Sequence, residues 1–344
     1  MLPKVTIAMP AFNEEHYIER CIRTIQEQDY PHERIEVLIA DGRSTDQTRA
    51  IIDRLAIEDP RIKLIDNPDK LQASGLNRIV RAATGEIVVR MDVHCEYAPD
   101  YVRRAVDVME KTGADNVGGA QRAKANTAFQ RALCAALTSP LGVGGAKYRS
   151  PEAEGFVDTV FLGAFRRSVF ETVGMWDPGA ITNEDAELNQ RILAAGGRVF
   201  LSRELVVHYF PRDSIKTLAK QYFRYGRGRA RTLLKLGSFP TLRPLLPFVM
   251  VSGAAVMLLI PPLWPVAPLA IGGYLLATGA EAIRVGAPLG VGQIPTVWAI
   301  FPVLHASHGV GFAAGLLRYL RSPDWPRNAA EVELLPKRVT LRAV

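Results

Sequence analysis

The sequence predicts an α/β domain built on a mostly parallel sheet, followed by a basic amphipathic stretch and an apolar carboxyl-terminal region. Short β-branched runs alternate with segments of helical periodicity from residue 4 to residue 92, which implies parallel strands joined by right-handed crossovers. Polar residues cluster just after those runs, at the edge where open α/β sheets bind ligands. Beyond residue 243, the stretches 244–280 and 285–317 carry no Asp, Glu, Lys or Arg.

VTIAM (5–9) is the first strand, and Asn13-Glu14-Glu15 opens a helix with Tyr17, Ile18, Cys21, Ile22 and Ile25 at helical spacing. IEVLIA (35–40) is the second strand and ends at Asp41; Ser44 or Thr45 caps a helix that turns Ile51, Ile52 and Leu55 inward. IKLI (62–65) is the third strand, with a helix over 70–83. Thr84-Gly85 turns the chain into the fourth, over 86–91.

The 344 residues exceed what one ordinary domain needs, and 48% apolar content is ample for a core. Cys21, Cys95 and Cys134 are odd in number and widely spaced, so they form neither a disulfide framework nor a zinc site and fit a reducing cytoplasm. The first ten residues lack the basic and long apolar regions of a cleaved signal peptide, and none is expected. Neither GxGxxG nor GxxxxGK[ST] occurs, so a nucleotide here is held by side chains and a metal rather than by a glycine cradle.

Asp92 and His94 follow the fourth strand. Two residues apart, they can meet one divalent ion. The carboxylate suits Mg²⁺ or Mn²⁺, and the imidazole shifts preference toward Mn²⁺. The plainer alternative is a solvated Asp with an incidental His. Asp41 can accept from the ring N–H of a uracil, or serve the DGRSTD turn as a capping carboxylate. Glu184-Asp185 opens a helix after Asp177-Pro178-Gly179; the pair is catalytic, or simply acidic charge favoured in a first helical turn. Gly163-Ala164 lies between two apolar stretches and brings backbone close to a ligand, or is a turn. Trp176 stacks on a ligand, or fills the core.

VTIAMPAFNEE, ADGRSTDQT, MDVH, FLGAFRRSVFETVG (161–174), NEDAELNQRI (183–192) and QYFRYGRGR (221–229) occur in that order. Together they resemble the family 2 glycosyltransferases of the GT-A fold. The likeness extends to the membrane-associated glucosyltransferases of bacterial exopolysaccharide synthesis, the succinoglycan-type branch. The resemblance implies that Pro10, Ala11, Asn13 and Glu14 line the base and ribose and that Asp41 pairs with uracil. Asp92 and His94 stand where the family has Asp-x-Asp, holding Mn²⁺ or Mg²⁺ against the donor diphosphate; His in place of the second Asp is a departure. Asp185 is implied as the base, with Glu184 beside it. Gln221-x-x-Arg224-Tyr225 resembles the Gln-x-x-Arg-Trp element, which puts Arg224 on the donor diphosphate and Gln221 toward the acceptor; a lipid-facing cation is the alternative for Arg224. Residues 126–149, an amphipathic helix and Gly-rich loop, lie beside the acceptor in that branch, or pack on the catalytic sheet.

The expected divisions are a nucleotide-sugar-binding and catalytic domain over 1–212, basic interfacial helices over 213–243, transmembrane or re-entrant segments over 244–317, and a basic cytoplasmic tail over 318–344. Residues 213–237 carry seven Lys and Arg against Asp213, with apolar residues at helical spacing, which reads as a membrane-surface helix. Nucleic acid is excluded as the partner by the apolar sequence that follows. The first uncharged stretch is long enough for two short spans broken near Pro261-Pro262 or Pro265. With both ends cytoplasmic, two crossings are expected. The resemblance implies an inverting, metal-dependent enzyme at the inner membrane, facing the cytoplasm. It would move a hexose, glucose from UDP-glucose first, to a polyprenyl-diphosphate-linked sugar. The rivals are a processive synthase, which needs a longer membrane channel, and a catalytically silent membrane-tethered nucleotide-sugar-binding protein.

Overall fold

The structure is a computed structural model describing residues 1–145, 147–150, 152–237 and 241–325. Two compact units emerge: Met1–Gln121 with Pro151–His208, and Arg122–Ser150 with Tyr209–Asp324. Most of the expected basic tail, 326–344, lies outside the described residues.

The first unit starts with four strands at the predicted places: β1 (Val5–Ala11), β2 (Ile35–Asp41), β3 (Ile62–Asp66) and β4 (Ile87–Arg90). They run parallel in the order β3-β2-β1-β4, with β2 and β4 buried along their whole length. Such strands read as near-continuous apolar runs because helices cover both faces. The intervening helices are α1 (Ile18–Gln26), α2 (Thr48–Glu58) and α3 (Gln72–Ala82). Two starts differ from the sequence expectation. Residues 13–17 form a turn, because Asn13 takes φ 55°, and the helix begins at Ile18. Neither Ser44 nor Thr45 caps α2, which begins at Thr48 with no side-chain cap; Ser44 and Thr45 bind Asp41 and Asn13 instead.

Beyond β4 come β5 (Cys95–Tyr97), α4 (Tyr101–Thr112), β6 (Asn116–Gly119) and β7 (Gln121–Ala123), where the chain leaves the first unit. It returns with β8 (Gly155–Phe156), β9 (Phe161–Arg166), α7 (Ser168–Thr172), α8 (Glu184–Ala194) and β10 (Val199–Leu201), and leaves again in β11 (Val207–Tyr209). The sheet continues past β4 as β9-β6-β10-β8, with β9 antiparallel to both neighbours. Gly163-Ala164 therefore lies inside a central strand, not in a turn.

The excursion 122–150 belongs to the second unit rather than to the catalytic domain. It holds α5 (Ala128–Thr138) and α6 (Pro140–Val143). Ala132, Leu133, Ala136 and Leu137 of α5 share a core with Leu218 and Tyr222, Ala282, and Val297, Phe301 and Leu304. The rest of this unit is α9 (Ile215–Leu236), α10 (Leu246–Leu259), α11 (Ala267–Gly286) and α12 (Ile294–Arg321), with the break after α10 at Pro261–Leu263, as expected.

The expected basic helix is α9, and α12 takes one face of it at backbone distance. A Cβ on Gly226 would come within 2.0 Å of the His308 carbonyl oxygen, and one on Gly311 within 2.1 Å of the Phe223 carbonyl oxygen. One on Gly315 would meet Ala230 and Arg227. Small residues four apart allow such approach. Among the described residues one helical stretch, Val291–Arg321, is long and apolar enough to cross a membrane; two were expected. At about 1.5 Å per residue, α10 reaches only about 21 Å, and α11 ends in Glu281 and Arg284.

Gly311→Val is expected to lower the unfolding temperature of the detergent-purified protein sharply, costing about 2 kcal/mol or more by overpacking. Gly253→Val, where a Cβ meets nothing within 4 Å, should cost much less.

Candidate active site

At the carboxyl ends of β1 and β2 two loops lock together. Asn13 donates its backbone N–H to Ser44 Oγ (2.8 Å), and its Oδ1 accepts from Thr45 N (2.9 Å). Glu14 N donates to Thr48 Oγ1 at 2.7 Å. Asp41, wholly buried, accepts from Ser44 N and Oγ and from Arg49 Nη1 (3.1 Å). It thus fills the turn role the sequence offered as its alternative. Pro10 and Ala11 end β1 beside Ala40 and Asp41.

Beside β1, β4 ends in Arg90, which the sequence reading passed over. A charged residue within a fully buried strand is the signal that could have found it. Its side chain is 4% exposed, and a guanidinium so placed needs counter-charge. Asp92 Oδ1 accepts from Nε at 2.9 Å and Oδ2 from Nη2 at 3.1 Å. Nη1 donates to Glu184 Oε1 (2.9 Å) and to Asp185 Oδ1 (2.6 Å). One cation thus draws the end of β4 and the first turn of α8 together, though they lie far apart in the chain. Gln72 Nε2 donates to Asp92 Oδ2 at 3.2 Å, and the Asp92 N–H meets Tyr97 Oη at 2.6 Å.

Trp176 is 1% exposed, packed against Phe165 and Phe170 with ring centroids 5.3 and 4.9 Å away. Its core alternative is the one realised. Its indole N–H donates to Asp185 Oδ1 at 2.9 Å, so both bonds fall on one oxygen. Among the described residues Oδ2 makes no hydrogen bond or ion pair, and the Asp185 side chain keeps 19% exposure. Burial raises the Asp185 carboxyl to about 7, with Arg90 opposing and the Glu184 charge reinforcing the shift. A base needs its pKa near the working pH.

His94 is half exposed; its Nε2 lies 3.1 Å from Glu14 Oε1, and its ring lies edge-on to Tyr17. Among the described residues no three His, Cys, Asp or Glu side chains gather into a self-sufficient cation site. The donor set of Asp92 and His94 fits only a shared site, which substrate oxygens and water would complete, as is usual for Mg²⁺. A carboxylate on the second ring nitrogen, the position of Glu14, is a familiar support for a metal-binding imidazole.

Ala164 is wholly buried between Val89 and Val117, so its side chain belongs to the sheet. Gly163 takes φ 107°, and a Cβ there would strike Asn116 Oδ1 at 2.5 Å. Gln221, Arg224 and Tyr225 lie on α9 in the second unit, where Gln221 Nε2 donates to Tyr225 Oη at 3.0 Å.

A parallel half-sheet that continues through an antiparallel strand, with buried acids gathered by one arginine at its carboxyl edge, is an α/β fold of the GT-A class. Residues 6–174 match the family model Glycosyl transferase family 2. The Succinoglycan biosynthesis protein ExoA of Rhizobium meliloti is 35% identical over 92% of this chain and 96% of its own length. A Methanococcus voltae dolichyl N-acetyl-alpha-D-glucosaminyl phosphate 3-beta-D-2,3-diacetamido-2,3-dideoxy-beta-D-glucuronosyltransferase is 27% identical over 67% of this chain and 74% of its own. The chain belongs to glycosyltransferase family 2. Its fold is shared with the mannosyltransferase PcManGT of Pyrobaculum calidifontis, solved with GDP-Man and Mn²⁺, at TM-score 0.63 and 22% identity over 92% of this chain and 88% of that one.

Because folding raises the Asp185 pKa above its unfolded value, the native state favours the protonated acid. That stability is complete below the unfolded carboxyl range and is lost as pH rises through about 7. Asp185→Asn should therefore unfold at a higher temperature than the wild type at pH 8, with the difference shrinking as pH falls toward 4. Arg90→Met leaves buried carboxylates without their cation. It should destabilise by about 3–5 kcal/mol at pH 8 in denaturant titrations.

Proposed function

We propose that this glycosyltransferase is inverting and moves a hexose, glucose from UDP-glucose first, to a sugar carried on a polyprenyl diphosphate, in exopolysaccharide or cell-surface glycan synthesis. The Arg90 contacts to both Asp92 and Asp185 carry the reading: they tie the carboxylate of the donor side to a base. Asp185 Oδ1 is held by Arg90 and Trp176, and Oδ2 is the oxygen that takes the proton of the attacking hydroxyl. One positioned base and no second nucleophilic carboxylate motif in the sequence support single displacement, so a sugar α-linked in the donor emerges β-linked.

Asp92 and His94 would hold Mn²⁺ or Mg²⁺. Such an ion neutralises charge on the leaving diphosphate. The mannosyltransferase of the same fold, solved in complex with GDP-Man and Mn²⁺, supports this assignment. Pro10, Ala11, Asn13 and Glu14 would line the nucleoside, and Gln221, Arg224 and Tyr225 would meet donor and acceptor. A uracil at Asp41 requires the Ser44 and Arg49 bonds to open. The polyprenyl acceptor is supported by the Methanococcus voltae relative, whose substrate is dolichyl-linked. Inner-membrane attachment with the catalytic unit in the cytoplasm is supported by the apolar helix α12 and by the need to reach nucleotide sugars and a lipid together.

The test is transfer to a short-chain polyprenyl-diphosphate sugar by purified protein with a panel of nucleotide sugars. UDP-glucose should be the best donor, with one sugar added per acceptor. Asp185→Asn should lower kcat about 10³-fold or more while leaving donor binding within a few-fold. Chelation should abolish transfer and Mn²⁺ restore it. A guanosine donor that serves as well as a uridine donor refutes the Asp41 pairing; a polymeric product refutes single addition.

A further inference from the structure

The second unit contains a cationic and aromatic group apart from the carboxylate site. Lys147–Arg149 form a 3₁₀ turn after the Gly-rich loop, and the Arg149 guanidinium lies over the Tyr148 ring, 5.4 Å from its centroid. Among the described residues no carboxylate pairs with Arg149; burial works to lower its pKa, and tyrosines 222, 148 and 225 raise it, Tyr148 also through a hydrogen bond. Its Nε is enclosed and bonds nothing, and the same holds for the hydroxyl of Tyr222, a residue only 7% exposed. Tyr225 packs beside Tyr222 at 5.5 Å.

Two further cations face the group. The stem of Arg243 runs over Gly144, where a Cβ would come within 2.6 Å of its Cγ. Burial would raise the Tyr148 phenol, yet Arg149, Arg229 and Arg243 hold it below its usual range. Elsewhere in this unit a buried guanidinium has its counter-charge: Arg231, 1% exposed, bonds Asp324 at 2.5 Å. Among the described residues Arg149 Nε and the Tyr222 hydroxyl are enclosed donors with no acceptor, and leaving such donors unsatisfied is costly. An anion with several oxygens would satisfy both and neutralise the cations around them, and a guanidinium fork matches phosphate oxygens.

We propose that Arg149, Tyr222 and Tyr148, with Arg229 and Arg243, form a binding site for the diphosphate of a lipid-linked substrate. The assignment rests on the polyprenyl-diphosphate reading of the acceptor. The same unit supplies the second half of amphiphile recognition: Leu258, Leu259, Leu269 and Leu276 are exposed on α10 and α11, an apolar surface suited to an isoprenoid chain. A nucleotide offers the same phosphate chemistry without a use for that surface.

The test is calorimetric titration of the full chain in detergent with farnesyl diphosphate, farnesol, inorganic pyrophosphate and UDP. Farnesyl diphosphate should bind at least tenfold more tightly than farnesol or pyrophosphate. Arg149→Gln should weaken it tenfold or more and Tyr222→Phe, which removes only one oxygen, about threefold, with UDP binding unchanged in both. Wild-type affinity for farnesyl diphosphate in both variants overturns the site. A parallel loss of UDP binding assigns the cluster to the donor and overturns the proposal, as does pyrophosphate binding as tightly as farnesyl diphosphate. Hydrolysis of UDP-glucose without acceptor reports on the donor site alone. Its absence in wild-type protein would sink the donor assignment while the farnesyl diphosphate result still stood or fell on Arg149.

Discussion

Arg90 is the charge on which the candidate site depends. A guanidinium at the end of a buried parallel strand has no water to fall back on, so acids must come to it. Asp92 comes from two residues along the chain, and Glu184 and Asp185 come from the first turn of α8. That requirement fixes the approach of α8 to the edge of β4, and Trp176 completes it by donating to the same Asp185 oxygen. The cluster holds more acid than base, and burial makes the excess expensive. The cost falls on Asp185, whose carboxyl is pushed into the range where a proton can be taken and returned near neutrality. Arg90 is spent on these three carboxylates; it holds Asp185 in place and opposes the rise of its pKa.

The loops after β1 and β2 depend on a second set of contacts. Asn13, in a left-handed conformation, bridges to Ser44 and Thr45, while Asp41 binds Ser44 and Arg49. A chain without a glycine cradle can still present a fixed sheet edge if its loops brace each other, and here side chains supply the bracing.

The first four strands were legible because parallel strands covered on both faces leave long apolar runs that few other structures explain. The helix starts were less so. Asn13-Glu14-Glu15 has the composition of a first helical turn, yet the tertiary bonds of Asn13 override that local preference. Strand β9 was missed because Gly163 looks like a turn residue. In the fold its φ 107° is a bend inside the sheet that only glycine enters cheaply, forced by the close approach of Asn116. Arg90 was hidden for the opposite reason: one charge does not disturb the apolar pattern of a strand, and its partners Glu184 and Asp185 lie 94 and 95 residues away. Asp185 was visible only through the motif around it, since an acid in a first helical turn is ordinary by itself.

The helices of the second unit were legible, and their packing was not. A helix with seven basic residues suggests one that floats at a lipid surface, but Gly226, Gly311 and Gly315 let α9 and α12 meet backbone to backbone. Association of that kind draws on close van der Waals contact rather than on expulsion of water, so it survives where apolar solvent surrounds the helices. It also leaves the large aliphatic side chains of α10 and α11 facing outward. A polar substrate would gain nothing from that surface. An enzyme whose acceptor carries a long hydrocarbon chain would gain a place to hold it, and the arginines and tyrosines of the same unit would then be left with the one part of such a lipid that hydrocarbon cannot accommodate.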